Sequence, residues 1–333
     1  MISIALCTYN GGKFLREQLN SIARQTLLPD ELVICDDGSV DGTIDILKEF
    51  RDRVSFPVHI HQNEKNLGST KNFEKAIGLC QGDIIALCDQ DDVWKPEKLK
   101  RLGEALQTNP KAGYVFSDAE VVDDNLVPLG HSLWRLLGFE GKIRRLFLRG
   151  EQFPCLIRKD IVTGATMAFR DSVARLCIPF PAAEGWVHDA WIAIAASAVG
   201  SSGISIDETL IFYRQHLSQQ IGVSDSPQRR SLSIMYHELK DHRQFLFAAW
   251  EERCLRILCL KDYLQRLLEV PDAEVCSQNL LSLREFETHF LARKKILTSK
   301  GLGRYRLIFK EALSGRYALF SDSWKSIARD LFL

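Results

Sequence analysis

The sequence predicts an α/β fold, with a mostly parallel sheet, helices on both of its faces, and a C-terminal helical region. Three observations predict it. Short unbroken apolar runs alternate with segments whose apolar residues recur at helical spacing, the pattern of βαβ units. Early runs end in polar clusters, at Thr8-Tyr9-Asn10, Asp36-Asp37 and Asp89-Gln90-Asp91-Asp92. Beyond Ser224-Asp225-Ser226-Pro227 the alternation stops and helical periodicity continues alone.

Ile2 to Thr8 is apolar almost throughout, as expected of a strand covered on both faces. Asn10-Gly11-Gly12 turns the chain, and Leu15, Leu19, Ile22 and Ala23 mark a helix from Lys13 to Gln25 that Pro29-Asp30 ends. Glu31 to Cys35 reads as the second strand. Asp41-Gly42-Thr43 is expected to cap a helix whose Ile44, Leu47 and Phe50 share a face. Val54 to His61 supplies a third strand. Asn66 then caps a helix carrying Phe73, Ala76, Ile77 and Cys80 on one side, and the fourth strand, Asp83 to Cys88, runs into Asp89. Tyr114 to Ser117, Val162 to Arg170 and Ile211 to His216 continue the strand pattern, while Ala190 to Val199 is an apolar helix opening at Asp189. In open sheets of this kind ligands bind beyond the carboxyl ends of the strands, so the topology gathers the polar clusters along one rim.

A chain of 333 residues has room for two domains or one domain with an appendage. Lys plus Arg and Asp plus Glu both number 43, so no overall charge draws nucleic acid. The nine cysteines form no CxxC pair, and Cys7, Cys35 and Cys88 sit in apolar runs as small hydrophobes, which speaks for a reducing compartment and against zinc or disulfide frameworks. Met1 to Leu6 lacks the basic flank of a secretion signal, and Ala190 to Ile206, broken by glycine and serine, falls short of a membrane span. The expected location is therefore cytoplasmic. Neither GxGxxG after the first strand nor a GxxxxGK loop is present, so a bound phosphate is expected to rely on something else.

The acidic stretch offers one such device. Three carboxylates this close repel one another and favour either a counter-cation or a proton. Hard cations such as Mg²⁺ and Mn²⁺ are often shared between one or two carboxylates and a substrate phosphate. Locally, an acidic helix start with Asp92 near the N-terminus of a helix carrying Pro96 fits as well.

Taken together, Cys7-Thr8-Tyr9-Asn10, Cys35-Asp36-Asp37-Gly38-Ser39, Asn66-Leu67-Gly68 and Asp89-Gln90-Asp91 occur in the order and spacing of the family-2 glycosyltransferases. The resemblance implies the Rossmann-like GT-A fold over residues 1–222, with a helical region at 228–333. Asp89-Gln90-Asp91-Asp92-Val93-Trp94 is most similar to the rhamnosyltransferase-type bacterial enzymes of surface polysaccharide synthesis. It implies transfer of a sugar from dTDP-rhamnose or a UDP-sugar to a glycan acceptor, commonly lipid-linked. By the same resemblance the donor is met by Thr8, Tyr9, Asn10, Asp36, Asp37, Asn66, Gly68, Asp89, Gln90 and Arg214. A divalent metal, Mn²⁺ or Mg²⁺, is implied at Asp89, Asp91 and His216. Asp189 matches the general base, although on local grounds alone a helix cap is the favoured reading. Gly164, Thr166, Trp186, His188 and Trp191 are implied on the acceptor side. No QxxRW motif accompanies them, which points to one sugar per encounter rather than processive synthesis.

Lys142-Ile143-Arg144-Arg145 reads as a solvated helix face. From Arg293 to Leu333 ten Lys/Arg stand against three Asp/Glu, a net of +7 (10 − 3), interleaved with aromatic and aliphatic residues. Such a segment suits an anionic membrane surface, and so a peripheral position at the inner face of the cell membrane, or else a helical subdomain packed on the catalytic unit. The competing functions are a nucleotidyltransferase, which the loop from Thr8 to Phe14 matches poorly, and a non-catalytic glycan- or lipid-binding protein.

Overall fold

The structure, a computed structural model, describes residues 1–181, 185–216, 219, 251–268, 274–321 and 323–332. Outside them lie the predicted junction near 222–228, the first part of the stretch from Leu232 to Leu268 whose apolar residues recur at helical spacing, and Val270-Pro271-Asp272, which interrupts that spacing. The chain runs β1 (Ile2–Thr8), α1 (Leu15–Ala23), β2 (Glu31–Asp36), α2 (Thr43–Arg51), β3 (Val58–Gln62), α3 (Ser69–Leu79), β4 (Ile84–Cys88), β5 (Val93–Trp94), α4 (Lys98–Thr108) and β6 (Ala112–Val122). It continues through β7 (Pro128–Ser132), α5 (Leu133–Leu137), α6 (Gly141–Leu148), α7 (Gln152–Arg158), β8 (Met167–Arg170), α8 (Asp171–Cys177), α9 (His188–Ala198) and β9 (Ser202–Arg214). Five helices close it: α10 (251–267), α11 (Glu274–Thr298), α12 (Gly301–Leu313), α13 (Arg316–Phe320) and α14 (Trp324–Phe332).

Among the described residues nine strands make one sheet, ordered β3-β2-β1-β4-β8-β6-β9-β5, with β7 on the side of β6. The four strands β3-β2-β1-β4 are mutually parallel, and the register aligns Thr8 with Asp36, Asp36 with Gln62 and Leu6 with Cys88. That register brings the polar clusters to one rim. Strand order reverses at β1, the switch point at which such sheets open a crevice. Beyond β4 the sheet is mixed: β8 runs antiparallel to both β4 and β6, and β9 runs parallel to β6.

One core lies on each face. Leu15, Leu19 and Ile22 of α1, Leu47 and Phe50 of α2, and Leu99, Leu102 and Leu106 of α4 pack on Ile4, Leu6 and Ile34. Phe73 and Ile77 of α3, with α7 to α9, cover the other face through Ala5, Leu87, Tyr114 and Phe116. Ile257, Leu260 and Leu264 of α10 and Leu280, Leu283 and Phe286 of α11 join this second core. The C-terminal helices are thus packed on the sheet's own helices, and Asn279 donates to the final carbonyls of α9, at Ser197 and Ala198.

Several expected boundaries move, each for a local reason. The third strand begins at Val58, since Pro57 has no N–H for the ladder. Asn66 does not cap α3, whose N-cap is Gly68 at φ 79°; it instead donates to the carbonyl of Asp37. Asp92 starts no helix, because β5 intervenes and pairs with β9 before α4 begins at Lys98. The strand expected from Val162 opens as a single 3₁₀ turn over Gly164–Thr166, closed by Thr166 N–H and hydroxyl donating to the Thr163 carbonyl.

Candidate active site

The strand ends border a cleft of about 500 Å³, within the range of small-ligand sites. Its lining includes Thr8, Tyr9, Asp37, Asn66, Gly68, Asp89, Gln90, Asp91, His188 and Asp189. These ten expected residues come from five separate stretches of chain. The cleft is also lined by Cys7, Ser69, Asn72, Phe73, Thr163, Val187, Tyr213 and Gln219, which are not among the expected site residues.

On the β2 side, Asp36 is buried and accepts from Thr8 Oγ1 (2.7 Å), from the N–H groups of Gly38 and Ser39, and from Ser39 Oγ. Its acceptor capacity is spent on shaping the turn. Asn10, at φ 48°, acts as a clasp between loops: its N–H donates to Ser39 Oγ, and its Oδ1 accepts from Val40 N–H. Asp37 faces the cleft while accepting from Leu67 N–H, Gly68 N–H and Asn63 Nδ2 (2.8–2.9 Å). Asn63 is in turn held by Asn72 and Lys75. One carboxylate therefore fixes the loop that forms this end of the cleft.

The acidic loop is fixed from two directions. Gln90 accepts from Tyr9 N–H and donates to the Tyr9 carbonyl, which ties it to the loop after β1. A Cβ at Gly11 would meet the end of that Gln90 side chain, which would have to leave this position. From behind, Arg214 is 1% exposed. Its guanidinium donates to the carbonyls of Asp91 and Asp124 and to Glu17, it lies over the Phe14 ring, and its N–H donates to Asp92 Oδ1. The resemblance placed Arg214 on the donor, where its charge could neutralise a leaving diphosphate; here it is enclosed beneath the loop and does not line the cleft. His216, expected as a metal ligand, has Nε2 2.9 Å from Asp91 Oδ2 and stands behind that carboxylate.

Charge in this corner is poorly balanced. Burial, with Asp91 and Asp189 nearby, pushes the Asp89 carboxyl up to about 7, although one side opens on the cleft. Burial, with Asp91 and Asp89 nearby, raises Asp92 well above the carboxylate range, and its Oδ2 has no hydrogen-bond partner. Lys98 is buried too, donating to the Ala165 carbonyl over the Trp94 ring, and burial lowers it to about 7. A divalent cation would favour the ionised forms of these acids. No three ligands stand assembled for a metal among the described residues. The donor set of Asp89 and Asp91, with His216 adjacent, fits a hard cation whose remaining ligands come from a phosphate-bearing substrate.

Across the cleft, Asp189 lies in the first turn of α9, where the helix dipole favours a carboxylate. Its Oδ2 accepts from Gly164 N–H (2.7 Å) and its Oδ1 from Ala190 N–H. The N-cap is Val187, so Asp189 is not the cap that local reading suggested. An added Cβ at Gly164 would come within 2.8 Å of His188 Nε2, so the glycine permits this close packing. His188 is 5% exposed, stacks on Phe73 at 4.0 Å, has neither ring nitrogen hydrogen-bonded, and is held below its usual value by burial. Of the other expected acceptor residues, Thr166 spends its hydroxyl on Thr163. Trp191 donates to the Cys177 carbonyl and packs between Trp186 and Tyr263. Thr166 and both tryptophans are core groups, outside the cleft lining.

The family model described as glycosyl transferase family 2 matches residues 3–176. An uncharacterized glycosyltransferase of Nostoc sp. is 33% identical over 125 residues, 37% of this chain and 38% of that protein. A putative teichuronic acid biosynthesis glycosyltransferase of Bacillus subtilis is 32% identical over 101 residues, 30% of this chain and 40% of that one. These alignments span well under half of either relative's length. The crystal structure of S. aureus TarS 1-349 in complex with UDP-GlcNAc superposes with a TM-score of 0.55 at 16% identity, covering 96% of this chain and 81% of that one. At that identity the likeness is one of fold, and it extends through the C-terminal helices.

Proposed function

The chain belongs to glycosyl transferase family 2, and we propose that it is an inverting, metal-dependent transferase acting on a nucleotide-sugar donor and a glycan acceptor. The observation that carries the reading is one cleft in which Asp37, the Asp89/Asp91 pair and Asp189 converge from distant parts of the chain. TarS is described in complex with UDP-GlcNAc, which supports a UDP-sugar or the related dTDP-rhamnose as donor. The teichuronic acid relative supports a role in surface polysaccharide synthesis. A lipid-linked acceptor at the membrane's inner face is proposed with it. The catalytic unit is assigned to residues 1–222 and the helical region to 228–333.

Thr8 and Asp37 border the part of the cleft assigned to the nucleobase. Asp37 is an acceptor held in place by three donors, suited to a pyrimidine imide N–H. Asp89 and Asp91 would hold the cation beside the diphosphate, with His216 supporting Asp91. When bound, the metal supplies Lewis-acid stabilisation to the leaving group. Asp189 accepts the proton of the acceptor hydroxyl, whose oxygen bonds to the anomeric carbon as the bond to the diphosphate breaks on the opposite side. Gly164 N–H fixes the orientation of that base, and unpaired His188 is available to the acceptor. Arg214 serves by positioning the acidic loop.

The test is a screen of UDP-, dTDP- and GDP-sugars with mixed lipid-linked acceptors, scored by nucleotide release with and without Mn²⁺. Release that needs donor, acceptor and metal together is expected. A purified, folded protein releasing nucleotide from none of them would overturn the reading.

A further inference from the structure

A surface helix of a folded protein ordinarily turns its charges outward and its apolar residues inward. α12 follows this only in part: Ile308 is buried and Arg306 and Lys310 are exposed, but charge also faces inward and a row of apolar residues faces outward. Its inner face carries Glu311, 3% exposed, which accepts from Arg316 and is hydrogen-bonded to His289 of α11. Arg304, also on that side, donates to the Asp330 carbonyl of α14. Opposite them, Leu302, Tyr305, Phe309 and Leu313 recur three, four and four residues apart, which aligns them in one stripe. They are 88%, 54%, 67% and 72% exposed. α14 packs against α12 and begins with Trp324, 70% exposed. Neither burial nor the inner polar network accounts for this outer stripe.

Charge indicates what it meets. Arg306 and Lys310 lie on α12 beside the stripe, and Lys325 follows Trp324; all three are exposed and make no ion pair among the described residues. Residues 293–333 carry a net +7 (10 − 3). A second copy of the chain would set like charge against like charge, which disfavours pairing. A surface with an apolar interior and anionic headgroups matches both features. We propose that the outer face of α12, with Trp324, docks on an anionic phospholipid bilayer. The helix lies in the interface plane, Leu302 and Phe309 enter the acyl boundary, and Arg306, Lys310 and Lys325 meet headgroup phosphates. None of the described cleft-lining residues belongs to α12 or α14, so docking does not use them. Only its purpose, bringing the cleft to a lipid-linked acceptor, rests on the transferase reading.

Co-sedimentation of the full chain with phosphatidylcholine vesicles, and with phosphatidylcholine–phosphatidylglycerol vesicles, tests the surface. Binding to the anionic vesicles alone is expected, weakening as salt rises. The double variant Leu302→Glu/Phe309→Glu should weaken it by at least ~10-fold. Arg306→Gln/Lys310→Gln should weaken it by about 5-fold per charge removed. Both pairs are exposed, and unchanged melting curves would verify their folds. Equal binding to both vesicle types, or wild-type binding by Leu302→Glu/Phe309→Glu, overturns the proposal. So does a dimer that this variant abolishes in a protein that ignores vesicles. Donor turnover measured without vesicles separates the two readings. Lipid binding with no turnover on any donor leaves the surface and removes the enzyme, while turnover without lipid binding does the opposite.

Discussion

At the strand ends Asp36 and Asp37 are held by backbone N–H groups, hydroxyls and an amide, and the next carboxylates along the rim, Asp89 and Asp92, are left partly uncompensated. In the C-terminal helices Glu311 and Asp330 are as deeply buried, yet each is met by a cation: Glu311 by Arg316, Asp330 by Nε and Nη2 of Arg293, with the Tyr317 hydroxyl donating as well. The first arrangement keeps negative potential available for a ligand. The second neutralises itself and clamps helices. Burial alone does not distinguish an acid kept for binding from one kept for the fold; its partners do.

Substitutions in the two regions should therefore fail differently. Asp91→Ala and Asp189→Ala are each expected to lower transfer by about 10³-fold or more while the melting temperature stays near wild type. Glu311→Ala should do the converse. It leaves the His289 and Arg316 groups without their buried partner and should cost about 3 kcal/mol of stability, with turnover per folded molecule preserved. Denaturant titration and nucleotide release on the same preparations decide the matter. Loss of turnover in folded Glu311→Ala would erase the distinction.

Arg214 is the informative intermediate, a buried cation placed at the rim. Arg214→Gln removes the donors to two loop carbonyls and to Glu17, so a stability loss of about 2 kcal/mol is expected together with a raised KM for metal. A raised KM for donor with unchanged metal dependence would return Arg214 to the diphosphate. Farther from the cleft, Asn279→Ala unties α11 from the end of α9 and should cost about 1 kcal/mol with little change in turnover.

What the sequence made legible follows from period and position. Strands β1, β2 and β4 are apolar runs with polar ends, so both the sheet and its rim could be read. Asn72 and Phe73 lie inside α3 and Tyr213 inside β9, where a cleft residue has the same periodicity as a core residue. Arg214 looked like a ligand cation because a strand-end arginine carries no sign of being enclosed by a loop more than a hundred residues earlier in the chain. In α12 the periodicity was clear, but which stripe faces inward depended on Glu311 finding His289 and Arg316. Single-helix patterning cannot encode that choice.

The smallest expected effect uses this last contact. Burial holds the His289 imidazole below its usual value, with the Glu311 contact opposing it and Arg293 and Arg316 adding to it. Burial opposes the shift of Glu311, but hydrogen bonds from Arg316 and His289 hold that carboxyl below its usual range. Tyr317, Phe320 and Ser321 also stand against the ring, and the Ser321 hydroxyl is 3.0 Å from Nε2. Both folded values lie below the unfolded ones, so on acidification the unfolded chain takes up protons first and gains stability relative to the fold. The helical region should thus lose stability as pH falls below about 6.5 through His289, and further below about 4.3 through Glu311. Thermal melts from neutral to acidic pH should show a modest decline in Tm. His289→Gln should flatten the upper part of that decline and leave the lower part intact. A wild-type Tm that rises between neutral and mildly acidic pH, or an identical decline in His289→Gln, would remove His289 as the group responsible, and with it the contrast between a self-neutralised helical interior and a rim that waits for a cation.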